Sequence, residues 1–414
     1  MADSQAKPSV LVFGGLNTCS RALAALLIPL DGEPLVSHLR IVDKYSVDPA
    51  TTYIGPEFPH ILKNKVVEYK QANLKVATTI AEVYEPPAGQ AAFDYVFDFT
   101  GEIRDDRTDV IQYDSTYCVA RLLGLEAAKR KVKAYVRIQQ PFYETSSKSG
   151  DEKQDSKPVG SAGIWWHETL RGLGAIEDLN LVILRTGFIY GPYTNYGIIA
   201  TGINVAAVYG YLKKPMKSIW SPGKNPNNTV HIDDVAGAAW TAATWVAATG
   251  RKAADEAAGE EIIFHNDKNK IKEFTNIVPP SQRVVAPLFN IVDDSNNTLL
   301  SVGQVVTSFF GTTFEFFNLV ESTVIKVLDE VEDINEQHVG GWTRMLAESK
   351  PPITHTPLNA YMDKSALSKH TVGLNNAKIK KVLDYKLKRP EFNHDSIKEI
   401  VDKWKAEGIW PKLD

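Results

Sequence analysis

The chain has 414 residues, a formal net charge of −4 and 43% hydrophobic residues. This length fits one large α/β unit or two domains. The slightly negative net charge does not indicate nucleic-acid binding, which is usually accompanied by a basic surface. No secretory pattern opens the chain and no apolar run approaches the roughly 18 residues of a membrane span, so we expect a cytoplasmic protein without membrane insertion.

Short apolar runs alternate with helical patterns in the first half of the chain. Helices are predicted at Asn17–Leu30 and Asp114–Lys131. Strands separated by helices imply right-handed crossovers, so we predict an α/β fold with a Rossmann-type doubly wound parallel sheet. The predicted strands are Val10–Phe13, His38–Asp43, Lys65–Tyr69, Tyr95–Phe99, Val132–Gln139 and Leu179–Arg185.

Beyond residue 195 the pattern becomes more helical and less regular. Ser146–Lys157 is polar and charged throughout, which predicts a mobile surface loop that borders a pocket. Thr249–Glu261 is either an exposed helix or a linker. The last helix is predicted at Asp395–Ala406, with its apolar residues on one stripe.

The first strand runs into a glycine turn and then a helix, as in a phosphate-binding turn. Backbone N–H groups and the helix dipole favour an anion at such a place. Gly14 and Gly15 form the turn, Asn17 and Ser20 stand where glycines are usual, and Thr18 lies between them. A tight strand–helix turn without a ligand is the alternative.

An acidic residue ends the second strand. Asp43 lies 23 positions after Ser20, close to the spacing of a carboxylate that binds an adenine ribose. Such a carboxylate favours NAD and repels the 2′-phosphate of NADP. Lys44 softens this preference because its ammonium group can meet that phosphate.

Several segments occur in the order found in one large family of enzymes. They are VLVFGG at 10–15, RIVDK at 40–44, YKQANL at 69–74, FDYVFDFTGE at 93–102, VKAYVRIQQPFYE at 132–144, LNLVILRTGFIYGP at 179–192, NTVHIDDVAGAAW at 228–240, PLFNIVDD at 287–294 and NNAKIKKVLDYKLKRP at 375–390. The chain thereby resembles the extended short-chain dehydrogenase/reductase superfamily, in its NAD-dependent epimerase/dehydratase group.

The resemblance implies a strand order 3-2-1-4-5-6 and a bound NAD(P). It divides the chain into a dinucleotide-binding domain at 1–194 and a smaller, mostly helical substrate lobe at 195–414, from which strands and helices return to the core. It places Asn73 and Leu74 at the adenine. Further cofactor positions follow the later strands: Thr100, Gly101, Gln139, Arg185, Thr186, Gly187 and Phe188.

The chain departs from the family where its relatives keep their catalytic residues. A Tyr-x-x-x-Lys pair is usual on the helix after strand five, but residues 158–180 contain neither Tyr nor Lys. If Glu168 is the trailing glutamate of the motif, Gly160 and Ile164 stand at the two positions. Relatives also use an Arg-Asp pair for nucleotide diphosphates, and here Asn227 and Asn228 replace it.

Other residues are therefore candidates for proton transfer and for the substrate pocket. Tyr143 follows strand five and His167 lies on the next helix, so either is a candidate acid or base, while packing roles are the alternative. Gln140, Tyr143, Trp165, Trp166 and Tyr190 are candidates for the substrate pocket. No metal site is expected, because His231 and Asp233 fit a strand end and a helix cap.

Three functions remain open on the sequence alone. The first is an oxidoreductase, epimerase or dehydratase with a rewired site, acting on a small carbonyl or alcohol compound with NAD rather than NADP. The second is a catalytically silent dinucleotide-binding protein with a structural or sensing role in a complex. The third is a cofactor-independent lyase or isomerase. The helix Asp114–Lys131 is a candidate homodimer contact.

Overall fold

The computed structural model of the chain describes residues 6–328 and 331–413. It contains an eight-stranded sheet and three pairs of short strands. The strands are β1 (Ser9–Phe13), β2 (His38–Asp43), β3 (Val67–Gln71), β4 (Tyr95–Asp98), β5 (Ala134–Gln139), β6 (Tyr143–Glu144), β7 (Lys157–Pro158), β8 (Leu181–Thr186), β9 (Phe188–Tyr190), β10 (Met216–Ser218), β11 (Thr229–His231), β12 (Gly259–Glu261), β13 (Val285–Ile291) and β14 (Phe314–Phe316).

Helices cover both faces of the sheet and build the C-terminal lobe. They are α1 (Thr18–Leu27), α2 (Phe58–Leu62), α3 (Ala77–Tyr84), α4 (Asp109–Gln112), α5 (Val119–Lys129), α6 (Gly160–Gly174), α7 (Ile198–Leu212), α8 (Ile232–Thr249), α9 (Arg251–Ala258), α10 (Leu299–Phe309), α11 (Leu319–Leu328), α12 (Val331–Glu348), α13 (Lys364–Leu367), α14 (Ala377–Leu383) and α15 (His394–Ala406). A π-helix at Tyr113–Cys118 joins α4 to α5, and Lys270–Glu273 forms a 3₁₀ turn.

The large sheet runs in the order β12-β13-β8-β5-β4-β1-β2-β3. Seven neighbouring strands of this sheet are parallel: β3, β2, β1, β4, β5, β8 and β13. The edge strand β12 pairs with β13 in the antiparallel direction. The strand order reverses at β1, because β2 and β3 lie on one side of it and β4, β5 and β8 lie on the other. A ligand crevice is expected at the carboxyl ends of the strands at such a point. The predicted α/β class and Rossmann-type sheet are confirmed.

Apolar clusters fill the space on each side of the sheet. α1 and α8 pack on one face, while α3, α5 and α6 pack on the other. A third cluster fills the C-terminal lobe between α7, α10, α12 and α15, where the indoles of Trp404 and Trp410 stack with ring centroids 5.3 Å apart. In the described part of the chain, no helix is both long and apolar enough to cross a membrane.

Two predicted segments differ from the structure. The predicted helix Asp114–Lys131 is present in a continuous helical stretch that ends at Lys129, but its first turns, Tyr113–Cys118, are π-helical before α5 begins. The segment 146–157 is not wholly at the surface, since Glu152 and Ser156 are buried. The Glu152 carboxylate accepts the backbone N–H of Asn290 at 2.7 Å and so fixes the segment to β13.

Candidate functional site

The turn after β1 is held close to two neighbouring strands. Gly14 has a φ of +67°, and a Cβ there would lie 2.8 Å from the carbonyl oxygen of Phe99. A Cβ on Gly15 would lie 2.2 Å from Cγ2 of Ile41. Glycine is therefore required at both positions, because the turn passes against β2 on one side and the end of β4 on the other.

Polar side chains close the turn where the family motif has glycines. Asn17 caps α1 by accepting the backbone N–H of Ser20 at 3.0 Å, and its Nδ2 donates to the Phe99 carbonyl at 2.9 Å. The Ser20 hydroxyl donates to the carbonyl of Gly14 at 2.6 Å. The substitutions thus replace glycine packing with hydrogen bonds inside the turn.

Asp43 at the end of β2 also supports the turn. Its carboxylate accepts the backbone N–H of Leu16 at 3.0 Å and that of Lys44 at 2.6 Å. The residue is only 8% exposed, and this burial raises the pKa of its carboxyl above the ordinary value despite the backbone donors. The carboxylate lies in the wall of a cavity at the strand ends.

This strand-end cavity has a volume of about 560 Å³ and lies at the carboxyl ends of β1, β2 and β4. It brings together many of the residues that the sequence assigned to a dinucleotide: Gly14, Asn17, Asp43, Lys44, Asn73, Leu74, Thr100 and Gly101. Such a crevice, at the point where strand order reverses, is where open α/β sheets bind nucleotides.

Other predicted cofactor residues lie elsewhere. Thr18 and Phe188 face a different cavity in the C-terminal lobe. The Arg185 guanidinium donates to Asn290 Oδ1 at 2.7 Å and to Ser156 Oγ at 2.6 Å, inside the protein. Five more are absent from the described walls of both cavities: Gly15, Ser20, Gln139, Thr186 and Gly187.

The lobe cavity has a volume of about 760 Å³ and lies between the turn, the loop after β5 and the C-terminal lobe. Its lining includes Thr18, Phe142, Phe188, Asn359 and Tyr361. Five residues line both this cavity and the strand-end cavity: Ile103, Arg104, Gln140, Asn195 and Tyr196. The two cavities therefore meet at these residues, which we call the junction.

Sequence reasoning missed four of the five junction residues, namely Ile103, Arg104, Asn195 and Tyr196. Asn195 accepts a hydrogen bond from the guanidinium of Arg21 at 3.0 Å, and Arg21 also donates to the Tyr193 carbonyl. Tyr196 is 37% exposed, so its side chain is accessible from the cavities. The only sequence signal for Asn195 or Tyr196 is its position shortly after the motif that ends in YGP.

The two predicted proton donors lie outside both cavities. Tyr143 is 2% exposed, and its hydroxyl donates to the backbone carbonyl of Thr186 at 2.7 Å. His167 bonds through Nε2 to the carbonyl of Ile263 at 2.5 Å, and burial lowers its pKa to about 4. Both groups are committed to backbone partners inside the protein, which disfavours proton exchange with a ligand.

The predicted substrate-pocket residues are divided between the junction and the core. Gln140 lies at the junction, whereas Trp165, Trp166 and Tyr190 are almost fully buried. The Trp165 indole N–H donates to Asp109 Oδ1, and the Tyr190 hydroxyl donates to a backbone carbonyl. These three aromatic residues are absent from the described walls of both cavities.

A buried ion pair supports the wall beside Thr100 and Gly101. The guanidinium of Arg137 lies 2.9 Å from the carboxylate of Asp98 and 4.7 Å from the ring centroid of Trp166. Asp98 also accepts the hydroxyl of Thr100 at 2.6 Å. This arrangement fixes the end of β4 where it borders the strand-end cavity.

Comparisons with known proteins support the fold but give no close relative. No protein-family model and no curated protein matches the chain. Among solved structures, Pal from Bacillus thuringiensis superposes with a TM-score of 0.61 at 14% identity, over 96% of this chain and 99% of that one.

Two further structural matches come from enzymes that handle nucleotides. WbmG from Bordetella bronchiseptica, solved in complex with NAD, gives a TM-score of 0.60 at 12% identity over 99% of this chain and 98% of that one. UDP-glucose 4-epimerase from Thermotoga maritima, solved with UDP-glucose, gives 0.58 at 14% identity over 96% and 99%. At these identities the likeness establishes the fold alone.

Proposed function

We propose that the chain binds NAD(H) in the strand-end cavity and acts on a small carbonyl or alcohol compound in the lobe cavity. The observation that carries this proposal is the junction, where a nucleotide-type crevice and a second cavity share five wall residues. An enzyme that transfers hydride needs this arrangement, because the nicotinamide and the reacting carbon must come into contact.

The preference for NAD over NADP rests on Asp43. Its carboxylate lies in the cavity wall at the end of β2, where a ribose hydroxyl can donate to it. A 2′-phosphate at the same place would bring two anions together, which is unfavourable. Lys44 is exposed and its ammonium lies 5.1 Å from the ring of Tyr45, so it offsets only part of this repulsion.

Tyr196 is our candidate for the proton donor. It is the junction residue with an ionisable hydroxyl, and a phenol, whose ordinary pKa is about 10, is protonated at neutral pH. A protonated phenol donates a proton to the oxygen of a carbonyl while hydride arrives at its carbon. Gln140 and Asn195 lie beside it and provide uncharged hydrogen-bonding groups for the same oxygen.

A catalytically silent dinucleotide-binding protein is the second candidate. The observation that favours it is the composition of α6, which contains neither Tyr nor Lys, so no ammonium on that helix lowers the pKa of a phenol. In this case the lobe cavity would hold a ligand that reports the state of the dinucleotide without reacting.

Single-turnover oxidation of bound NADH against a panel of carbonyl compounds tests the proposal. We expect Tyr196→Phe to slow turnover about 10²- to 10⁴-fold, the usual contribution of a positioned acid. Tyr193→Phe is the matched control, because Tyr193 lies in the same loop but outside the described walls of both cavities. Equal rates in the two variants would exclude Tyr196, and no turnover in the wild type would favour silent binding.

A further inference from the structure

The C-terminal lobe contains a third cavity, which we call the apolar chamber. It has a volume of about 130 Å³ and lies between the helices α7, α10, α12 and α13 and the strand pair β10 and β14. Aliphatic and aromatic side chains form most of its wall, among them Ile199, Val205, Met216, Val302, Val306 and Phe314. An empty apolar space of this kind favours an apolar ligand.

The apolar chamber adjoins the lobe cavity. The two share the wall residues Phe188, Ile198, Ala366 and His370. The His370 ring meets that of Phe188 edge-on with centroids 5.6 Å apart, and its Nε2 lies 2.8 Å from the carbonyl of Ser365. The lobe cavity and the apolar chamber therefore meet at these four residues, and a ligand in one lies next to the other.

The chamber offers almost no charge to a polar ligand. In the described part of its wall, Lys217 alone carries a full charge, and its ammonium lies at the surface over the ring of Phe317. Asn227, which occupies a position where relatives have an Arg-Asp pair, donates to backbone carbonyls instead. Nothing in this wall would compensate the charge of a nucleotide diphosphate.

One polar pair lies in the wall. The Tyr209 hydroxyl is 3.2 Å from Nε2 of His338, and burial lowers the pKa of His338 to about 4, so the ring is neutral at pH 7. Nδ1 of His338 is buried and has no hydrogen-bond partner among the described residues. A ligand with a single oxygen in reach would satisfy that atom without bringing a charge into the chamber.

We propose that the apolar chamber binds the hydrocarbon part of the substrate, whose carbonyl or alcohol group reacts in the lobe cavity. This assignment rests on the proposed function, and it names the substrate class as an amphipathic aliphatic or alicyclic compound. A cavity of roughly 150 Å³ holds a benzene molecule. The chamber, at about 130 Å³, is slightly smaller, so it fits about five or six carbon atoms.

Gly202 provides a way to fill the chamber without disturbing the fold. It lies in α7 and in the chamber wall, and a Cβ added there would meet no atom within 4 Å. Gly340 in α12 is the matched control: its Cβ would also meet nothing within 4 Å, but it is exposed and lies outside the chamber wall. Leucine is a better helix former than glycine, so both Leu variants should fold.

The test is calorimetric titration of 2-alkanones, from 2-butanone to 2-dodecanone, into the protein loaded with NAD⁺, which has no hydride to transfer to a ketone. We expect affinity to rise about two- to fourfold for each methylene that the chamber buries and to level off when it is full. Gly202→Leu should lower the affinity for 2-decanone by about tenfold or more, while Gly340→Leu leaves it unchanged. UDP-glucose should bind more weakly than 2-decanone.

The outcomes separate the chamber assignment from the proposed function. NAD⁺ binding with no dependence on chain length, or equal affinities in the two Leu variants, would overturn the assignment and leave cofactor binding intact. A chain-length dependence in a protein that does not bind NAD⁺ would overturn the proposed function and retain the chamber as a ligand site. Both variants should first be shown to melt at or above the wild-type temperature.

Discussion

Glu168 should make the free energy of unfolding depend on pH. It is 1% exposed on α6, both carboxylate oxygens lack a hydrogen-bond partner among the described residues, and the nearest cation is Nε of Arg171 at 3.6 Å. Burial raises its pKa from 4.5 to about 7, although Arg171 opposes the shift. The phenol of Tyr117 on the neighbouring π-helix supplies no compensating charge.

The sign of the effect follows from which state holds the proton. Between pH 4.5 and about 7 the folded protein keeps a proton that the unfolded chain has released, so stability falls as the pH rises through this window. Each pH unit is worth about 1.4 kcal/mol, so the loss between pH 5 and pH 8 is about 2–3 kcal/mol. Above the window the contribution is gone.

Urea unfolding of wild type and Glu168→Gln across this pH range isolates the effect. The neutral glutamine resembles the protonated acid, so the variant should not lose this stability as the pH rises. At pH 8 we expect its midpoint of urea unfolding to exceed that of the wild type by roughly 1 M more than at pH 5, for a typical dependence of the unfolding free energy on urea in a large chain. Glu177→Gln, at an exposed position beyond the end of α6, is the control. Parallel pH profiles for Glu168→Gln and wild type would show that Glu168 does not retain a proton in the folded protein.

Two further predictions concern local structure. Asn17→Ala should lower the free energy of unfolding by about 1–2.5 kcal/mol in urea titrations, because the helix cap on Ser20 and the hydrogen bond to Phe99 are both lost; an unchanged midpoint would contradict the cap. Glu152→Ala should make the segment 146–157 more sensitive to limited trypsin digestion, since the carboxylate fixes it to β13; cleavage at the wild-type rate would show that other contacts fix it.

The lining of the strand-end cavity was largely predictable from sequence. Gly14, Asn73 and Thr100 follow closely on strands and Asp43 ends one, and the carboxyl ends of parallel strands meet at one edge of the sheet. Short motifs and topology therefore specify their neighbourhood without knowledge of long-range packing. The strand order beyond β8 was less accessible, because β13 returns from more than 90 residues later.

The rest of the site depends on contacts between distant parts of the chain. The apolar chamber joins residues near 200, 300 and 370, and no local pattern states that these regions meet. Tyr143 and His167 looked reactive in the sequence because both follow strand five, yet each bonds to a backbone carbonyl in the interior. The polar composition of the segment 146–157 predicted a surface loop, but Glu152 and Ser156 are buried. Their hydrogen-bond partners, Asn290 and Arg185, lie far away in the sequence.

Calorimetric titration with NADH and with NADPH measures whether the strand-end cavity binds NAD(H). We predict tighter binding of NADH, and a loss of about 10- to 100-fold in NADH affinity in Asp43→Asn, the usual range for one hydrogen bond to a charged group. Asp31→Asn, at an exposed position outside the described cavity wall, should bind as the wild type does. Tighter binding of NADPH, or no binding of either dinucleotide, would contradict the account.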